Sequence, residues 1–351
     1  MTSSLNIGFV GAGFISQVAH LPHYIANQKC RVVALAELRP ILGEKVCKKW
    51  SIPRLYNSHQ DLILDDSIDA VVVVVRRHHT APIALDVISS KKHLFTEKPF
   101  AQTFSIGNKL VKNASKNRLF YGVGFMRRYD SAVQRAKQEF DMIIDSHELG
   151  SLLFTRVFLS AGGDYCNIDG DIKSDEPKPI DPVWDIAPSF LPLKYHKSFE
   201  HFVNVCGHDI NLLRYFFPDD ISVKSSFYEP SKGAVVVFDL GNSYGTFEWM
   251  DTLQPTRWEE GIEIRFQKGY IRLMLKPAFL RNQPSHLEIY RDAGRHGGRT
   301  TIYQPDWTWA FKNECDGFID SLINKTQPIS NAYDGLNDML LIEQIWRNII
   351  T

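Results

Sequence analysis

The stretch Leu5-Asn-Ile-Gly-Phe-Val10-Gly11-Ala-Gly13-Phe-Ile-Ser16 constrains the fold more than any other, because an apolar run passes straight into two closely spaced glycines and then into a helical segment. Glycines at that junction let a strand turn into a helix within a few residues. The turn gathers backbone amides and the positive end of a helix dipole at one point, which favours phosphate. Gly11 would permit the tight turn and Gly13 would let the backbone approach a pyrophosphate, while Ser16 is small enough for close helix-strand packing where a third glycine is usual. Gly11, Gly13, Phe14 and Ile15 are therefore the first candidate contacts for a dinucleotide, although the pattern alone would also suit an ordinary turn.

A second strand, Arg31-Val-Val-Ala-Leu-Ala, ends in Glu37, at the distance past the glycines where such folds place a ribose-binding carboxylate. A carboxylate there accepts both hydroxyls of the adenosine ribose and repels the extra phosphate of NADP. NAD is the expected cofactor, with NADP the alternative because Arg39 stands close by.

Up to about residue 122, apolar strands at 5–10, 31–36, 69–75, 93–96 and 119–123 alternate with helices beginning near 14, 40, 81 and 103, the pattern of a parallel sheet wound with helices. The run Asp69-Ala-Val-Val-Val-Val-Val75 is apolar on both faces, as a central strand covered from each side must be. After Phe125 the character changes. A helix bearing Ala132, Val133, Ala136 and Phe140 precedes strands at 152–159, 221–228, 233–239, 243–249, 261–266 and 269–274, which suit an antiparallel sheet, and an amphipathic helix over 336–350 closes the pattern. The predicted architecture is α/β: a dinucleotide-binding Rossmann domain over 1–123, doubly wound on a parallel sheet, and an α+β domain over 124–351 on a mainly antiparallel sheet. Between the first strand of the second domain and the rest lies a proline- and aspartate-rich insert, 162–200, too long and too aromatic for a linker. Its Tyr165 and Trp184 are candidate substrate contacts.

Length and charge narrow the function class. The 351 residues suit two cores, and 40 basic against 40 acidic side chains leave no net charge to advertise a nucleic acid or an anionic membrane as partner. No apolar run has the length of a membrane span and the first residues lack the pattern of a targeting segment, so a cytoplasmic location is expected. The five cysteines are widely spaced with no Cys-x-x-Cys pair, which reads as reduced thiols. His196, His201, Cys206 and His208 match no metal-ligand spacing, and no metal is expected.

Three constellations could carry chemistry. Glu97-Lys98-Pro99 follows a parallel strand at its carboxyl end, the edge where open α/β sheets bind ligands. Oxidising an alcohol needs a group to take the hydroxyl proton, and a lysine serves if its surroundings lower its pKa. Glu97 could hold the nicotinamide ribose, and Pro99 stiffens the turn. Asn204 and His208 lie one helical turn apart and share a face, where His208 could pass a proton and Asn204 could orient it. Arg127, in Met126-Arg-Arg-Tyr129, could contact an anionic substrate or cofactor, or pair with a carboxylate at the domain junction.

Together the Gly-x-Gly start, Glu97-Lys98-Pro99, Gly124-Phe-Met-Arg-Arg-Tyr129 and the helix from Asn204 to His208 resemble the glucose-fructose oxidoreductase, inositol dehydrogenase and rhizopine-catabolism family, Gfo/Idh/MocA, over essentially the whole chain. The resemblance implies NAD(P)-dependent oxidation or reduction at a hydroxyl of a sugar, sugar derivative or cyclic polyol, in a homodimer or homotetramer, with the sheet of the 124–351 domain open and that domain binding substrate and mediating oligomerisation. It implies that Lys98 is the catalytic lysine and His208 the catalytic histidine. Two departures stand out: Asn204 replaces an aspartate typical of inositol dehydrogenases, and Arg76-Arg-His-His-Thr80 replaces a Thr-Pro-Asn-like turn, making Arg76 a candidate phosphate contact at the cofactor edge.

Overall fold

The computed structural model describes residues 4–162, 169–177, 180, 184–218, 221–252 and 258–351. They form two compact units: Met1–Phe125 with Ile168–Pro188 and Phe311–Met339, and Met126–Asn167 with Ser189–Ala310 and Leu340–Thr351.

The first unit is built on β1 (Leu5–Val10), β2 (Cys30–Ala36), β3 (Arg54–Tyr56), β4 (Ala70–Val73), β5 (His93–Glu97) and β6 (Tyr121–Gly124), interleaved with α1 (Leu21–Ala26), α2 (Pro40–Trp50), α3 (His59–Ile63), α4 (Arg77–Ser89) and α5 (Phe104–Lys116). The strands pair in parallel in the order β3-β2-β1-β4-β5-β6, the Rossmann order, whose reversal between β2-β1 and β4 opens a crevice at the carboxyl ends. Every residue of β4 is buried, as the unbroken apolar run requires. Val10 pairs with both Ala36 and Val73, so the three central strands end level. Between β1 and α1 the chain makes a π-helical turn, Ser16–His20, with Ser16 fully buried.

The second unit comprises α6 (Ser131–Ser146), β7 (Leu152–Gly162), α7 (His196–Phe216), β8 (Ser222–Glu229), β9 (Gly233–Asp239), β10 (Tyr244–Thr252), β11 (Trp258–Phe266), β12 (Gly269–Leu275), β13 (His286–Asp292) and β14 (Gly298–Tyr303). Its sheet runs β14-β13-β12-β11-β7-β10-β9-β8, antiparallel except for the β7-β10 pair. That parallel pair follows from chain order: after β7 the chain runs through α7 and re-enters at the edge strand β8. Ser226 of β8 is tied by its hydroxyl to the Ile345 carbonyl at 2.8 Å. The strands alternate, with Val157 and Leu159 of β7 and Phe247 and Trp249 of β10 turned to the core.

Two helices complete the chain, α8 (Ala310–Asn324) and α9 (Ala332–Ile350). Where the sequence reading assigns everything from 124 on to the second domain, Ile168–Pro188 and Phe311–Met339 belong to the first unit. For the latter segment the reason is apolar spacing: Cys315, Phe318, Ile319 and Leu322 form one stripe of α8 and join the core of Ile7, Phe9, Tyr24 and Phe95. The Ser330 carbonyl then accepts from the Val123 amide at 3.1 Å, closing the β6 edge. The sequence reading has no β3, α3, β13, β14 or α8. It does place the other strands within a few residues of their bounds.

Candidate functional site

The glycine turn is built by two glycines with different jobs. Gly11 has φ +94°, and a Cβ added there would lie 2.4 Å from the Val74 carbonyl oxygen, so the turn itself admits nothing larger. At Gly13 an added Cβ would meet nothing within 4 Å. The open side of Gly13 faces a cavity of about 680 Å³ within the first unit, in the size range of small-ligand sites. Its walls are the turn from Gly11 through Phe14 and Ile15 to Gln17, the β2 end at Glu37, Leu38 and Arg39, the β4 end at Val74 to Arg76, His79, and residues 171–175. Arg76 is the residue preceding α4 and is exposed at this wall.

Glu37 is buried and held in place through both oxygens. One carboxylate oxygen accepts from the Ala12 amide at 2.8 Å, and Arg39 donates to both oxygens, from Nε at 2.8 Å and Nη2 at 3.0 Å. The β2 acid is thus held against the glycine turn, in the position where a ribose would find it, and the guanidinium beside it is already matched to a carboxylate. A pyrophosphate fits at Gly13, where there is space and a helix start, and a ribose fits at Glu37. The residues present therefore suit a dinucleotide.

Part of the insert closes the same cavity. Gln17, buried, clamps the backbone of Ile172 from both sides: the Ile172 amide donates to its Oε1 at 2.7 Å and its Nε2 donates to the Ile172 carbonyl at 3.0 Å. Further along, the Glu176 carboxylate accepts from the Ile41 and Leu42 amides at the start of α2, at 3.0 and 2.9 Å, and from the Ser174 hydroxyl at 2.6 Å. Lys49 holds the Gly170 carbonyl at 2.6 Å. None of Gln17, Ser174 or Glu176 was expected from sequence; the strap pairs residues more than a hundred positions apart, and no local pattern encodes that. The expected substrate contact Trp184 is half-buried and outside the cavity lining, and Tyr165 lies outside the described residues.

At the β5 end, Glu97 pairs with Gly124 of β6 while Thr96 pairs with Val73, so the Glu97-Lys98-Pro99 run leaves the sheet next to the β4 end that lines the cavity. These three residues are not in the cavity lining itself. Glu97 accepts from the Lys98 amide at 2.9 Å and faces the Nε2 of buried His20 at 2.8 Å. Lys98 is half-buried and Pro99 buried, with a cis peptide between them. Glu314 of α8 is fully buried, and among the described residues neither of its oxygens has a hydrogen-bond partner. Burial, reinforced by the charge of Glu97, raises its pKa well above the ordinary carboxyl value and favours the protonated acid.

In the second unit, Asn204 and His208 are both half-buried on one face of α7, opposite the buried stripe of Phe199, Phe202, Val203 and Cys206. Arg127 pairs with a carboxylate, though inside the second unit and not across the junction. Its guanidinium is buried, donates from Nε to Glu260 at 2.9 Å and from Nη1 to the Lys276 carbonyl at 2.7 Å, and is also bonded to Glu260 through Nη2. Trp258 donates to the same carboxylate at 2.8 Å. The substrate contact expected of Arg127 is corrected accordingly: a buried charge needs this pairing, and its donors are directed at Glu260 and a backbone carbonyl. Among the described residues no group of three or more His, Cys, Asp or Glu could hold a metal ion, and no helix is long and apolar enough to cross a membrane.

Comparison with known proteins agrees with this geometry. Residues 5–125 match the Gfo/Idh/MocA family model, described as an oxidoreductase family with an NAD-binding Rossmann fold. Inositol 2-dehydrogenase of Salmonella typhimurium is 31% identical over 154 residues, 43% of this chain and 44% of that protein, and inositol 2-dehydrogenase of Acidothermus cellulolyticus is 31% identical over 137 residues, 39% of this chain and 40% of that protein. These matches span less than half the length of either relative. Over the whole chain the fold is that of solved oxidoreductases. Levoglucosan dehydrogenase in complex with NADH and levoglucosan superposes with TM-score 0.77 at 18% identity, covering 99% of this chain and 98% of that one. An Agrobacterium radiobacter oxidoreductase in complex with NAD+, L-tartaric acid and magnesium gives 0.75 at 15%, covering 99% and 97%. Residues 5–125 thus resemble the NAD-binding Rossmann domain of the Gfo/Idh/MocA oxidoreductase family, and the rest of the chain is matched by fold alone.

Proposed function

We propose that the chain is an NAD-dependent dehydrogenase acting on a secondary hydroxyl of a cyclic polyol or sugar, with Lys98 as acid-base. The observation that carries this reading is the cavity at the glycine turn, open at Gly13 and bounded by Glu37, beside the strand end that bears Glu97-Lys98-Pro99. The names of the relatives, inositol 2-dehydrogenase and levoglucosan dehydrogenase, supply the substrate class. A bound nicotinamide supplies the hydride acceptor. The chain's own residues handle the rest: the amides after Gly13 hold the pyrophosphate, Glu37 accepts from the adenosine ribose, and the Lys98 amine takes the carbinol proton. Glu97, fixed by His20 and the Lys98 amide, sets the position from which Lys98 extends. His208 assists as a proton carrier, with Asn204 orienting it. NADP is the alternative cofactor. A second copy of the chain would cover the outward face of the open sheet, where Phe154, Tyr244 and Met250 are exposed.

The test is NADH formation by the purified protein across a panel of inositols, other polyols and sugars. Turnover by wild type, abolished by Lys98→Ala with NADH affinity retained, is the expected result; a Lys98→Ala variant that still turns over removes the lysine from its role. One feature favours a second reading, a dinucleotide sensor without chemistry: Asn204 has an amide where proton transfer would want a carboxylate. Tight NADH binding with no turnover on any member of the panel would select it.

A further inference from the structure

Resting on the reading of the cavity as a dinucleotide site, we propose that Glu176 is a specificity-determining residue that excludes NADP by occupying, with its own carboxylate, the place a 2′-phosphate would take. The two amides that begin α2, Ile41 and Leu42, are the donors a Rossmann fold offers just past its ribose-binding acid, and they point where a helix dipole favours an anion. Here both already donate to Glu176, at 3.0 and 2.9 Å. Leu42 is itself in the wall of the cavity, as are Ser174 and Asp175, the residues next to Glu176 in the strap. α2 is eleven residues long, so the anion sits on a complete helix.

The seat is built from several sides. Ser174 donates to the same carboxylate at 2.6 Å, Gln17 and Lys49 pin the strap at Ile172 and Gly170, and Arg39 lies near enough to feel the charge. Although partial desolvation pushes its pKa up, the Ser174 hydroxyl, the two α2 amides and Arg39 together hold the Glu176 carboxyl below its ordinary range. Arg39, the cation beside the ribose-binding acid, is chelated by Glu37 at 2.8 and 3.0 Å. A 2′-phosphate would therefore meet two carboxylates where an NADP site offers cations and amides, while the 2′-hydroxyl of NAD needs only Glu37.

The experiment is titration of the full chain with NADH and with NADPH, for wild type, Glu176→Gln and Glu176→Ala. Wild type is expected to prefer NADH. Both variants should bind NADPH about tenfold more tightly, the change that ~1.4 kcal/mol produces, with NADH affinity within about twofold of wild type. Retained NADH affinity also shows that the variants keep the pocket intact. Unchanged preference in both variants overturns the inference, and so does an equal loss of both dinucleotides, which would make Glu176 a part of the pocket frame. Wild type that binds neither dinucleotide overturns the reading of the cavity itself, a result distinct from either.

Discussion

Gly11 and Gly13 show how one motif divides into a backbone requirement and a ligand requirement. Gly11→Ala forces a Cβ to 2.4 Å from a carbonyl oxygen at φ +94°, and should destabilise the first unit by at least ~2 kcal/mol, measured by chemical denaturation. Gly13→Val meets no protein atom near its Cβ and should leave the melting temperature almost unchanged while removing dinucleotide binding. Glu314 makes a different kind of prediction. Its carboxyl is raised by burial and by Glu97, so from the ordinary value of 4.5 upward the unfolded chain ionises it while the folded chain does not. Stability from this group is present in acid and is lost as pH rises. Glu314→Gln, neutral at every pH, should therefore gain melting temperature relative to wild type as pH goes from 4 to 8. A difference that stays flat across that range would mean that Glu314 is ionised in the fold.

Among the elements, those that bury two faces are legible in the sequence and those that bury little are not. β4 announces itself because Ala70–Val73 is wholly buried, and α6 because Ala132, Val133, Ala136 and Phe140 recur at helical spacing. β14 does not, since Gly298–Tyr303 is polar and mostly exposed at a sheet edge, where no alternation is enforced. α8 is absent from the sequence reading although it buries a full stripe, and Phe318→Ala, which empties the space against Phe95, should cost about 3–5 kcal/mol in unfolding free energy. Gly11, Gly13, Phe14, Ile15, Glu37 and Arg76 of the cofactor set line the cavity, because local chemistry at a strand end marks them. The strap is invisible for the opposite reason: its place depends on Gln17 reaching Ile172, 155 positions away. Gln17→Ala removes that clamp, two hydrogen bonds of about 1 kcal/mol each, and should speed tryptic cleavage after Lys173 roughly tenfold or more.

At the scale of the whole molecule, two units carry two kinds of evidence. The first has a cavity, a carboxylate and a glycine turn that together fit a dinucleotide, and a family model that covers it. The second contributes a sheet and a helix that share in the fold of levoglucosan dehydrogenase, with Asn204 and His208 on a half-buried face. Substrate identity is the least legible property, because it depends on a few side chains that a fold of this kind varies freely. Cofactor binding is the most direct test, since every assigned role presupposes it. Calorimetric titration of NADH into wild type and Gly13→Val decides it: one-site binding at about micromolar affinity by wild type, lost in a Gly13→Val protein of unchanged melting temperature, is the expected result. Wild type that takes up no NADH, or a Gly13→Val protein that binds it equally well, would contradict the assignment of the cavity.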